Sequence, residues 1–213
     1  EMLGERGLWF KMSCLEGSAR VPLMVHAPGR FQPSNVTAPA STLDVFPTLL
    51  DLAGLAVPDN LDGESLLSAL GGEPMARTII SEYAAEGSIA PIVMARDESH
   101  KLIVCPADPD MMFDLENDPQ ETTNLAEEPT HSDKYTQLRQ TIDDAYDFDT
   151  FNEAVLNSQA QRLLIYDSLR SGNYFPWDYQ PLQLASERYM RNHKDLNVLE
   201  GQARYPRHQP NKT

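Results

Sequence analysis

Apolar and polar residues follow one another along this chain in several rhythms, and each rhythm predicts a different element. Arg20 to Ala27 is a short apolar run ending in Pro28-Gly29, the pattern of a buried strand closed by a turn. Leu43, Phe46, Leu49, Leu50 and Ala53 recur at helical spacing within Thr42 to Ala53. Ser41 or Thr42 can cap that helix, Pro47 is tolerated in its first turn, and Gly54 suits its end. Leu61 to Leu70, closed by Gly71-Gly72, predicts a second short helix. Glu1 to Cys14, rich in glycine and charge, reads as a loop.

Farther on the segments shorten. Thr78 to Tyr83, Pro91 to Arg96, Lys101 to Cys105 and Met111 to Leu115 are four strand-length pieces separated by turn residues. Strands this closely spaced predict an antiparallel sheet rather than βαβ units. His131 to Tyr146 follows as an amphipathic helix, which makes a small α+β unit. Phe151, Val155, Leu163, Leu164 and Leu169 outline another helix ending at Gly172. Aromatics at Tyr174, Phe175, Trp177 and Tyr179 then lead to a helix over Leu182 to Asn192, and the polar, basic stretch Gly201 to Thr213 is expected to fray.

Composition narrows the functional classes. With 213 residues, 41% hydrophobic and 23% charged, the chain can bury a core. A net charge of −15 repels phosphate polymers, so nucleic acid is excluded as a partner, whereas a small cation is attracted. The apolar runs, Val21 to Val25 among them, are too short to span a bilayer, and no membrane partner is expected. Cys14 and Cys105 lie far apart without metal-type spacing and read as buried free thiols of a reduced, cytoplasmic compartment. His26, His100, His131, His193 and His208 include no pair at ligand spacing, so no complete metal site is expected among them.

Four segments, in order, resemble the sulfatase branch of the alkaline phosphatase superfamily. Glu1-Met2-Leu3-Gly4-Glu5-Arg6-Gly7-Leu8-Trp9-Phe10-Lys11 resembles the stretch that follows the Asp-His-Gly metal motif of those enzymes. Glu16-Gly17-Ser18-Ala19-Arg20-Val21-Pro22-Leu23 is similar to their Glu-Gly-x-x-Arg-Val-Pro-Leu strand. Leu43-Asp44-Val45-Phe46-Pro47-Thr48-Leu49-Leu50 matches their Asp-x-x-Pro-Thr-Leu-Leu helix. Met112-Phe113-Asp114-Leu115, followed by Asp118-Pro119-Gln120-Glu121-Thr122-Thr123-Asn124-Leu125-Ala126, resembles their Tyr-Asp-Leu and Asp-Pro-x-Glu-x-x-Asn-Leu-Ala signature.

The resemblance implies a fold of α/β class. Residues 1–72 would be the end of a large mixed-sheet sulfatase domain, 73–147 a small antiparallel α+β domain, and 148–213 a helical extension. Cleaving a sulfate ester requires positive charge aimed at oxygens that gain charge in the transition state. A lone lysine is ordinarily a solvated one, but this motif marks Lys11 as the catalytic cation at the sulfuryl oxygens, with Trp9 packing the loop that holds it. Glu16 and Arg20 read as a buried ion pair, and Asp118, Pro119, Glu121 and Asn124 as turn and cap residues. The nucleophile would be a formylglycine made from an upstream cysteine. The divalent cation, calcium in most of the family, would have its ligands upstream of Glu1. Neither Cys14 nor Cys105 stands in the required Cys-x-Pro-x-Arg motif, so the chain reads as a truncated enzyme, inactive alone.

Beyond Tyr146 the resemblance narrows to choline sulfatases. Phe151 to Gln161, Trp177-Asp178-Tyr179-Gln180-Pro181 and Arg188-Tyr189-Met190-Arg191-Asn192-His193 are similar to their C-terminal extension. Lys194-Asp195-Leu196-Asn197-Val198-Leu199-Glu200 is less acidic than the family's Met-Asp-Leu-Asp-Asp-Leu-Glu. That resemblance implies choline sulfate as substrate and a homo-oligomer built through the tail. A quaternary ammonium has no N–H to donate and is recognised by carboxylate charge and aromatic faces. By resemblance Glu86 and Asp195 are the choline-binding acids. The competing readings are another sulfatase, a phosphonate monoester hydrolase, or a non-catalytic assembly module of a degenerate homologue.

Overall fold

A computed structural model describes residues 1–85 and 87–171. A hairpin opens the chain, with β1 (Met2–Leu3) antiparallel to β2 (Trp9–Phe10) across a 3-10 turn at Glu5–Gly7. A single helical turn, α1 (Glu16–Ala19), follows, then α2 (Val45–Leu52) and α3 (Leu67–Leu70). Four strands come next: β3 (Ile79–Tyr83), β4 (Ile92–Arg96), β5 (His100–Cys105) and β6 (Asp108–Asp114). They form one antiparallel sheet in sequence order, with a bulge between Ile103 and Cys105. The helices α4 (Ser132–Ala145) and α5 (Phe148–Ser171) close the described part. Among the described residues no helix is long and apolar enough to cross a membrane.

Both faces of the sheet are covered, which is why β4 and β5 are almost wholly apolar rather than alternating. On one face Val93, Ala95, Leu102, Val104 and Met112 pack with Leu138 and Ile142 of α4. On the other, Met94, Ile103 and Phe113 pack with Met2, Cys14 and Leu15 from the opening segment. Cys14 and Cys105 are both buried and free, as expected from the sequence.

Ser41, rather than Thr42, caps the turn into α2: its Oγ accepts from the Leu43 N–H while Asp44 Oδ2 accepts from the Ser41 N–H. Which face of α2 is buried departs from the apolar pattern. Asp44, Pro47 and Thr48 are buried, while Leu43, Phe46 and Leu49 are more than half exposed. The polar face is buried because its partners are at hand. Asp44 Oδ1 accepts from the Glu64 N–H at 2.9 Å, Asp44 Oδ2 lies 3.1 Å from Arg77, and Thr48 Oγ1 accepts from the Leu66 N–H at 2.9 Å. The same contacts shorten the second expected helix. The amides of Glu64 and Leu66 are held by side chains of the α2 segment, and the helix expected over Leu61 to Leu70 is confined to Leu67–Leu70.

The expected strand from Arg20 to Ala27 is absent. A strand needs a ladder partner, and no described strand runs beside this segment. Val21, Leu23 and Met24 are instead exposed, Met24 by 89%.

The chain divides into two compact units, Glu1–Glu153 and Ala154–Thr213. In the second, the described residues continue α5, with Leu156, Leu163, Leu164, Ile165 and Leu169 exposed. The elements expected beyond Ser171, and Asp195 with them, lie outside the described residues.

Candidate functional site

Lys11 follows the opening hairpin, and the local backbone explains how it is held. Arg6 and Phe10 both take left-handed conformations, at φ 54 and 71, which side chains with a Cβ seldom adopt. Contacts hold this conformation in place. Arg6 lies over the Phe113 ring, 5.4 Å from its centroid, and Glu5 Oε2 accepts from the Leu3 N–H at 2.5 Å. The Lys11 carbonyl accepts from Ser18 Oγ at 2.6 Å and from the Ser13 N–H at 2.9 Å. Its backbone is therefore fixed from two sides.

The Lys11 side chain is 75% exposed and, among the described residues, donates to Glu1 Oε1 at 3.2 Å. Trp9 is 62% exposed and lays its indole against Gly4, so it packs within the hairpin rather than into a core.

Beneath the hairpin sits a buried ionic cluster that sequence reasoning missed. Lys101 on β5 is wholly buried on the face that carries Ile103. Its Nζ donates to the Cys14 carbonyl at 3.0 Å and to Glu121 Oε1 at 2.9 Å, and lies 2.6 Å from Glu16 Oε1. Glu121 Oε2 in turn accepts from the Glu16 N–H at 2.7 Å. Glu16 does pair with Arg20, at 3.9 Å, but that pair is not the buried one expected, and the shorter partner is Lys101. Arg20 is 74% exposed with its Nε 3.9 Å away, because the fully buried Lys101 offers closer charge without solvent to screen it. Glu121 is also more than a turn residue: it is buried and left-handed, at φ 55, with both carboxylate oxygens engaged. One signal was available. Lys101 has the same strand parity as Ile103 and Cys105, and inward parity for a lysine demands a buried anion.

Gly17 completes this region by close approach. A Cβ there would lie 2.7 Å from the sulfur of Met2, the side chain that roots the hairpin in the core. Burial pushes the thiol of Cys14, beside the cluster, up against the pull of Lys101, which disfavours the reactive thiolate.

Asp118 and Asn124 do behave as turn and cap residues. Asp118 accepts from the Thr123 N–H and Thr122 Oγ1. Asn124 Oδ1 accepts from the Met112 and Ala126 N–H groups.

Glu86, which lies between β3 and β4 in the sequence, and Asp195 are both outside the described residues. Among the described residues no three His, Cys, Asp or Glu side chains are gathered as a metal would require. The described residues do not form a site for the divalent cation that the resemblance implies.

Two family models match the chain. That for "N-sulphoglucosamine sulphohydrolase, C-terminal" covers residues 4–147, and that for "Choline sulfatase enzyme C terminal" covers residues 153–205. The choline-sulfatase of Rhizobium meliloti is 49% identical over 97% of this chain and 41% of its own length. The arylsulfatase K of Gallus gallus is 36% identical over 59% of this chain and 26% of its own. Among solved structures, the phosphonate monoester hydrolase of Silicibacter pomeroyi matches with a TM-score of 0.55 and 30% identity, over 66% of this chain and 31% of that one. The chain therefore spans less than half the length of the relatives it matches.

Proposed function

Since the chain belongs to the sulfatase family, we propose that the whole protein hydrolyses choline sulfate to choline and sulfate, with this chain as its C-terminal part. The observation that carries the reading is the 49% identity, along 97% of the chain, to the choline-sulfatase of Rhizobium meliloti. The exposed apolar residues Val21, Leu23, Phe46 and Leu49 support a further portion of protein packing here. Lys11 is the residue of this chain that meets the sulfuryl group. Its fixed backbone and exposed ammonium suit a point charge aimed at oxygens that become more negative as the ester bond breaks.

By family resemblance, a hydrated formylglycine from an upstream cysteine supplies the nucleophile, and a divalent cation such as calcium is held by upstream ligands. Glu86 and Asp195 supply carboxylates to the quaternary ammonium. The protein works in the cytoplasm as a homo-oligomer joined through residues 148–213.

Glu86→Gln in the whole protein tests the substrate. It keeps the shape of the side chain and removes its charge. A contact to the ammonium makes kcat/KM for choline sulfate fall about 5- to 150-fold, the equivalent of roughly 1–3 kcal/mol for a lost charged contact. An uncharged aryl sulfate should be turned over as before. Equal losses on both substrates would reduce Glu86 to a structural residue, and no loss on choline sulfate would remove it from the site. The match to a phosphonate monoester hydrolase favours a second reading, in which a phosphonate monoester is cleaved faster than choline sulfate by the same protein.

A further inference from the structure

We propose that Lys101 is a positioning residue for Lys11, acting through Glu16, Glu121 and Ser18. The inference rests on Lys11 being the cation that faces the sulfuryl group. Its own basis is a continuous set of contacts in which each member has few alternatives. Lys101 has no exposure to water, and its three donors are matched by three oxygens: the Cys14 carbonyl, Glu16 Oε1 and Glu121 Oε1. Two of those oxygens belong to the segment that enters and starts α1. Glu121 grips the same helical turn a second time, through the Glu16 N–H. From the last turn of α1, Ser18 Oγ donates to the Lys11 carbonyl at 2.6 Å.

An ammonium rooted in the four-stranded sheet thereby fixes a helical turn, and that turn fixes the backbone of the exposed ammonium of Lys11. The arrangement answers a mechanical need. A lysine side chain has four rotatable bonds and aims poorly by itself. Aim has to come from a rigid base, and a buried, fully paired ion cluster is more rigid than a surface loop. Glu121, whose backbone is left-handed, is held by the same contacts through both of its carboxylate oxygens.

The test is a double-mutant cycle in the whole protein, read as kcat and KM on choline sulfate and, in parallel, on nitrophenyl sulfate. Ser18→Ala removes the last link and little else. It should lower kcat about 10-fold with KM nearly unchanged, the scale expected when a reacting group is misplaced by a fraction of an ångström. Lys11→Ala alone should lower kcat about 100-fold or more. The deciding variant is Lys11→Ala with Ser18→Ala. If Ser18 acts only by aiming Lys11, the pair is no slower than Lys11→Ala. Losses that multiply would mean a general structural role and overturn the proposal, as would a Ser18→Ala enzyme with normal kcat. Lys101→Met, taken through the same cycle, should show the same loss of effect in the Lys11→Ala background. Should that variant fail to fold, the Ser18 cycle decides alone. Normal turnover by Lys11→Ala would instead bring down the reading of Lys11 itself, and this inference with it.

Discussion

Changing Lys101 to methionine keeps an unbranched side chain of similar length and removes one charge and three donors. The structure sets the scale of the effect. The ammonium lies within 2.6 to 3.0 Å of Glu16, Glu121 and the Cys14 carbonyl, with none of its own surface in water and only 4% of the Glu121 side chain exposed. Without Lys101 the nearest remaining cation is Arg96, 3.8 Å from Glu16. Breaking a buried pair on one side costs about 3–5 kcal/mol, because the other charge stays behind unpaired. The thioether recovers about 1 kcal/mol through apolar burial. The net loss is about 3 kcal/mol, which in a protein more than twice the length of this chain lowers Tm by roughly 3–5 °C. Calorimetry on the whole protein measures it. Lys11→Met is the matched control: its ion pair to Glu1 is exposed, such pairs contribute about 0–1 kcal/mol, and Tm should stay within about 2 °C of the parent. Equal melting points for the two methionine variants would refute the low-dielectric picture of the Lys101 cluster.

Three further outcomes follow from packing and charge. Gly63→Ala should abolish stable folding around α2, visible as loss of soluble protein, since a Cβ there would stand 2.2 Å from the Leu43 carbonyl oxygen. Leu138→Ala, in the core between α4 and the sheet, should cost about 2–5 kcal/mol in denaturant unfolding. Asp97 gives a pH dependence. Burial alone would raise its carboxyl, but Lys134 and the His100 and Ser99 amides outweigh burial and hold it below the ordinary carboxylate range. Its contribution is present above about pH 4 and is lost as pH falls through the lowered value. The stability of Asp97→Asn should therefore fall less than the parent's between about pH 4 and pH 2, and parallel acid melts of the two would contradict this.

What was legible in the sequence was local. The four strands could be placed because turn residues separate short apolar pieces, and α4 because its apolar positions repeat every three to four residues. The cap at Ser41 and the roles of Asp118 and Asn124 are also short-range chemistry. The misreadings concern contacts between distant segments. Glu16 and Arg20 stand at a spacing that favours a pair, and nothing nearby announces that Lys101, far along the chain, wins Glu16 by being buried. The α2 segment was readable as a helix, yet its buried face was decided by the partners of Asp44 and Thr48, among them Glu64, Leu66 and Arg77. Arg20 to Ala27 has the composition of a strand, but composition cannot supply a neighbour to pair with.

The two covers of the sheet are not equivalent. One is α4, ordinary scaffold. The other is the segment that carries Lys11, so the residues that seal an oily interior are also those that would aim Lys11 in its proposed role. A piece of protein starting at β3 would lose Met2, Cys14 and Leu15 and leave Met94, Ile103 and Phe113 facing water. Tinkering is constrained accordingly. An engineer who shortens this loop to admit a bulkier ester also unroofs the sheet, and one who transplants the sheet must carry the loop with it. On the proposed role of Lys11, substrate range and solubility change together, and selection for a new ester is expected to yield second-site changes at Met94, Ile103 or Phe113.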